Sequence, residues 1–243
     1  MTPQIEAGAR PKSALERVIG VFTRPKETFA DIGARPSWVV PLVIVLVVQL
    51  VFMVLVGQHI GWEKVVTQQM EKSSQTQNMS QEQKDQAIQM GTKFAAGMSY
   101  GGVLIGVPIV LALMAGVLML TMSMVGGKFN FKQSFAIVTH ASLIGVIAGI
   151  LGMIVMFLKA PEDFDIQNPL AFNLGAFMPD GTPKALVSLA SSIDLFSLWT
   201  IWLLAVGYSA ASGKLKFSKA LIAVILPWAV YVLCKTGWVA IRG

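Results

Sequence analysis

The 243 residues comprise 54% hydrophobic side chains and 13% charged ones, with 19 Lys and Arg against 13 Asp and Glu and a mean hydropathy of +0.65. Soluble domains carry about 25% charged residues, so lipid must solvate much of this chain, and its cations are scattered rather than gathered into a nucleic-acid-binding patch. One cysteine, Cys234, excludes an internal disulfide and a multi-cysteine metal centre, and its apolar neighbours predict a quiet buried thiol.

The first 37 residues hold six basic and four acidic side chains and no unbroken apolar core, so no cleavable signal peptide is expected. Within residues 13–33, Leu15, Val18, Ile19 and Phe22 share one helical face, with Glu16, Arg17 and Arg24 largely off it. Phe29 and Ile32 continue the apolar edge after Pro25. This pattern fits an amphipathic helix in the headgroup plane, or one packed on the ends of membrane helices, and the two readings are compatible.

A spanning helix needs roughly 20 apolar residues to cross about 30 Å of hydrocarbon. Five stretches qualify: residues 38–57, 99–125, 135–158, 186–210 and 220–241. The expected architecture is all-α, with a 1–37 N-terminal segment and a 38–241 domain of five spans. Pro108 and Pro227 interrupt two spans, which neighbouring helices can tolerate. Pro41 falls in a first turn, where proline loses no helical hydrogen bond. In the polar, glutamine-rich first loop (58–97), Ser80 and Gln83 predict a capping box for a helix over 81–93. Asn78-Met79-Ser80 matches a glycosylation triplet of little weight.

Orientation follows the basic residues. The N-terminal segment carries Arg10, Lys12, Arg17, Arg24, Lys26 and Arg35; the second loop has Lys128 and Lys132, and the fourth has Lys214, Lys216 and Lys219, neither with an acid. The third loop sets Glu162, Asp163, Asp165 and Asp180 against Lys159 and Lys184, whereas the first is balanced at four and four. A cytoplasmic N-terminus, an outer C-terminus and two basic hairpins contacting lipid headgroups are expected.

Asp194, inside the fourth stretch, is the sharpest functional candidate, because an intramembrane acid is costly. It reads either as a helix-end structural residue or as part of a polar pair with Lys235, which otherwise snorkels to the outer interface. His140 reads as a packed, hydrogen-bonded residue, and its coupling to Asp194 is not expected because the two fall near opposite membrane faces. Gly102-x-x-x-Gly106 and Gly145-x-x-x-Gly149, with Ala205-x-x-x-Ser209 as a weaker case, predict close helix packing within or between chains. Met114, Met119, Met122 and Met124 read as adaptable apolar packing. No phosphate loop, zinc-type pairing, serine elbow or Cys–His pair is present, and neither a cofactor nor catalysis is expected.

The order ERVIGVFTRPKETFADI, PSWVVPL, GGKFNFKQSFAIVTHASL and IDLFSLWTIWLLAVGYSAASGKLKFSKALIAVILPW resembles the YIP-one (Ypt-interacting protein) domain family over residues 14–241. The most diagnostic residues are Phe22, Pro25, Thr28 and Phe29, then Gly126, Gly127, Gln133, Ser134 and Phe135, and Asp194 to Trp199 with Gly207. Thr139-His140-Ala141 departs from the family pattern, which has a proline there. The resemblance implies five helices, a cytoplasmic N-terminus and no catalysis. Eukaryotic members are associated with Rab-type GTPases and vesicle formation at the endoplasmic reticulum and Golgi; this compact form looks more like bacterial members, and a Rab role is not carried over. The expected function is packing, oligomerisation or membrane shaping by a non-enzymatic protein of the bacterial plasma membrane, with an endoplasmic reticulum or Golgi membrane as the alternative. The expected partners are the lipid bilayer and either further copies or other membrane proteins. A small transporter or channel using Asp194 and Lys235 is the alternative function.

Overall fold

A computed structural model describes residues 11–71, 76, 79–166, 168–179 and 181–242. Arg10, Asn78 and Asp180, which figure in the readings above, lie outside the described residues.

The described residues form helices joined by turns and short irregular segments. Five helical stretches are long and apolar enough to cross a membrane: Val39–Ile60, Gln81–Met124, Phe131–Leu158, Leu195–Ser212 and Phe217–Ile241. Their outer faces are those of a lipid-solvated protein. Along α3 (Val39–Leu55), Val43, Val47 and Val51 are all exposed at a spacing of four, a helical stripe that water would oppose. Leu113, Val117 and Leu120 form a like stripe on α6 (Val107–Met124) at spacings of four and three, as do Ile150, Ile154 and Phe157 on α8 (Ile144–Leu158).

Local rules explain most element boundaries. α1 (Ala14–Thr23) starts with a capping box in which Ser13 and Glu16 satisfy each other's backbone N–H. One residue later α2 (Pro25–Ala34) begins, with Pro25 at a position that needs no N–H donor. α3 continues as a π-helical turn, Val56–Ile60, and Gly61 at φ 88° turns the chain into α4 (Trp62–Glu71). α5 (Gln81–Gly101) opens on the expected Ser80–Gln83 box, but it continues beyond residue 93 through a π-helical turn, Gly102–Gly106, into α6. The wider turn falls just before Pro108, which cannot donate to the preceding helical carbonyl. This 44-residue run is about 66 Å long at 1.5 Å per residue, so only part of it fits the hydrocarbon layer. Trp62 meets Tyr100 edge-on, with ring centroids 5.9 Å apart, where α4 leans on α5.

α7 (Phe131–Ala141) is capped by Asn130, whose side chain accepts from Gln133 N while the Gln133 side chain accepts from Asn130 N. A turn at Ser142 and Leu143 separates α7 from α8. The 186–210 span expected from hydropathy is divided. α9 (Lys184–Ser191) ends in a turn, and α10 (Leu195–Ser212) starts afresh, with Asp194 as its N-cap. A single-residue antiparallel bridge, Asn173 to Asp194, fastens the third loop to this turn. α11 (Phe217–Arg242) contains Pro227.

The main core lies at one end of the bundle, here the basic end. Gly127 approaches Leu215, and Gln133 Nε2 donates to Gly33 O at 2.9 Å, so the N-terminal segment and both basic hairpins share this end. There α2 lies along α10 and against α7. Phe29, Ile32, Ile137, Leu203 and Tyr208 are fully buried.

Candidate functional site

Two regions gather polar side chains inside this apolar frame. At the basic end, the N-terminal hairpin is clamped by Arg17, which is only 5% exposed. Its Nε donates to Asp31 Oδ2 at 2.8 Å, its Nη2 lies 2.8 Å from the same oxygen, and its Nη1 donates to Arg35 O (2.9 Å) and Ser37 Oγ (2.6 Å). Arg35 Nη2 lies 3.4 Å from Asp31 Oδ1, so the carboxylate has a partner on each oxygen. Amphipathic periodicity places Arg17 off the apolar face; the structure instead buries Arg17, Gly20 and Val21 and leaves Leu15 and Ile19 exposed. The reason is chemical: an arginine can be buried when its fork of donors is matched by acceptors. The acceptors lie 14 to 20 residues downstream, beyond the reach of local pattern reading.

Close backbone approach completes the clamp. A Cβ on Gly33 would lie 2.4 Å from the Ala211 Cβ, and one on Gly207 would lie 2.9 Å from Ile137 and 3.0 Å from Phe29. Beneath them Ser134 Oγ donates to Ala115 O at 2.6 Å and meets the Tyr208 hydroxyl, tying α6, α7 and α10 together.

The second region is a cavity of about 410 Å³ between α3, α8 and the 168–196 segment. Gln49, Asn168, Asn173, Ser191 and Asp194 supply its polar lining. Gln49 is about 15 Å from Val39 and about 17 Å from Ile60 along the helix, so this side chain lies near the middle of its span. Asp194 lines the same cavity from the residue before α10, whose 18 residues are about 27 Å long and run to the basic end, so the carboxylate sits toward the opposite end of the bundle. Its Oδ1 accepts from Phe196 N and Ser197 N, both at 3.0 Å, which is the N-cap role. Among the described residues Oδ2 takes no hydrogen bond or ion pair, and Gln49 makes no side-chain hydrogen bond. Asn173 is already committed: its Nδ2 donates to Asn168 Oδ1 at 2.7 Å and its Oδ1 accepts from Ala176 N at 3.0 Å.

The residues singled out from sequence fall as follows. Lys235 Nζ donates to Ser192 Oγ at 3.1 Å and does not pair with Asp194; the turn at 192–194 directs Ser192 toward α11 and the carboxylate toward the cavity. Gly149 comes within 3.4 Å of Val48, measured from an added Cβ, and so packs on α3. Gly145 faces open space and lines the cavity, while among the described residues none comes within 4 Å of an added Cβ at Gly102 or Gly106. Lys128, Lys132, Lys214, Lys216 and Lys219 are exposed at the basic end. His140 is buried, donating from Nδ1 to Ala136 O at 2.8 Å, with no contact to Asp194. Cys234 corrects the expectation of a buried thiol: it lies exposed on α11, on an outward face that apolar neighbours alone do not distinguish from an inward one. No group of three or more His, Cys, Asp or Glu able to hold a metal occurs among the described residues.

Sequence comparison agrees with this architecture. "Membrane protein YknW" of Bacillus subtilis (strain 168) is 30% identical over 226 residues, covering 93% of this chain and 91% of that protein. No solved structure matches. The Yip1 domain model matches residues 19–239, from α1 through nearly all of α11, and by that match the chain belongs to the Yip1 domain family.

Proposed function

We propose that this protein is a non-enzymatic scaffold of the bacterial plasma membrane, whose basic end faces the cytoplasm and engages anionic lipid and neighbouring membrane helices. One observation carries the reading: the N-terminal hairpin is clamped into the bundle by the Arg17 network while Leu15 and Ile19 stay exposed on α1. An apolar ridge fixed at the same end as five exposed lysines suits contact at a headgroup layer, where each cation near an anionic surface contributes about 1 kcal/mol. The small-residue surface at Gly102 and Gly106, against which none of the described residues packs, is the corresponding place for a second helix.

The test is lipid selection. The protein is reconstituted in nanodiscs of mixed phosphatidylglycerol and phosphatidylethanolamine, and retained lipids are counted by native mass spectrometry. Replacing Lys214, Lys216 and Lys219 by Gln lowers phosphatidylglycerol enrichment several-fold, whereas unchanged enrichment contradicts the reading.

A further inference from the structure

A second space, of about 560 Å³, is a groove on the lipid-facing side between α6, α10 and α11 and is almost wholly apolar, with Leu113, Val117, Leu204 and Trp228 among its walls. Gly145 and Phe196 line both this cavity and the polar one at Asp194. Among the described residues nothing lies within 4 Å of an added Cβ at Gly145, so the two spaces meet where α8 has no side chain. We propose that together they form one binding site for a membrane-partitioned lipophilic cation, with an ammonium head at Asp194 and an apolar body against α6, α10 and α11.

The chemistry selects this class. Asp194 Oδ2 is the unused acceptor of a carboxylate that lines a cavity within an apolar frame, where an unpaired acid gains from a cation. Among the described residues no Lys, Arg or His lines either cavity, so an anionic ligand would meet the carboxylate with no counter-charge from them. Lys235, the partner that the sequence analysis singles out, is engaged by Ser192. Gln49 adds an amide with no partner of its own, and Phe52 and Phe196 offer aromatic faces that favour a cation. Each cavity falls in the range of about 300–1,000 Å³ typical of small-molecule sites. The site is separate from the basic end, so its failure would leave the scaffold reading untouched.

Asp194→Asn is an informative substitution, because asparagine is as good an N-cap as aspartate and keeps the bonds to Phe196 and Ser197 while removing the charge. Binding of radiolabelled dodecylammonium and of dodecanol, which shares its chain but not its charge, is measured on protein in nanodiscs, with empty nanodiscs as the blank. Asp194→Asn weakens dodecylammonium binding about 10-fold or more and leaves dodecanol binding unchanged. Asp194→Glu retains the preference for the cation. Gly145→Leu fills the junction and weakens both ligands. Three results overturn the proposal: no saturable dodecylammonium binding above the blank, wild-type affinity for it in Asp194→Asn, or equal loss of both ligands in that variant.

Discussion

Replacing Arg17 by Met is expected to unlock the N-terminal hairpin while nearly preserving side-chain volume. The substitution removes two contacts to Asp31 Oδ2 and the donors to Arg35 O and Ser37 Oγ, leaving the Asp31 carboxylate with only Arg35, 3.4 Å away. Breaking a buried pair by removing one partner costs about 3–5 kcal/mol; with Arg35 retained beside Asp31, a somewhat smaller loss of about 2–4 kcal/mol is expected here. Hydrogen exchange of α2 in detergent reads this directly, because its amides exchange through opening of the hairpin: a loss of about 3 kcal/mol lowers protection roughly 100-fold. Adding Asp31→Leu removes the stranded charge and recovers part of the loss, a non-additivity expected of two groups in one network. A decline in protection under about 5-fold, or strict additivity in the double variant, would refute the clamp.

Further outcomes follow from the packing. Gly33→Ala drives a Cβ into Ala211 and is expected to destabilise by about 1–3 kcal/mol in thermal unfolding, whereas Gly102→Ala meets open space and stays within about 0.5 kcal/mol. Disulfide crosslinking between copies carrying Gly106→Cys, in a background with Cys234 replaced by Ala, tests whether the unfilled Gly102–Gly106 surface packs against a second chain; specific crosslinks are expected there and not at Lys93. Tyr208→Phe forfeits the hydroxyl contact with Ser134 and costs about 0.5–1.5 kcal/mol. Ser134→Ala is more damaging, at about 1–3 kcal/mol, because it leaves the Tyr208 hydroxyl buried without its partner, while Ala115 O keeps its donor within α6.

The number of spans was legible because a charge-free run of some 20 residues admits few other readings in a chain this apolar. The box at Ser80 and Gln83 was equally legible, since both bonds are local. Two comparable signals passed unused: Ser13 with Glu16, and Asn130 with Gln133, each of which sets a helix start. The break at 191–194 escaped because hydropathy averages over a turn flanked by apolar residues; Ser191-Ser192-Ile193-Asp194 before Leu195 is an N-cap signature inside an apparent span. Arg17 and the separation of Asp194 from Lys235 were beyond reach for another reason. Both depend on partners brought together by the tertiary fold, and no spacing along the chain encodes which face of a turn meets which helix.

The layout of the five spans is tested most directly by single-cysteine labelling in a Cys234→Ala background. Cysteines replace Ser13, Lys214 or Glu82 in turn, and a membrane-impermeant maleimide is applied to intact cells and to inside-out vesicles. Positions 13 and 214 are expected to label together from the vesicle face, with position 82 labelling only from the opposite face. Labelling of 13 and 214 from opposite sides, or of all three from one side, would contradict the basic end that joins the hairpin, the loops and the core.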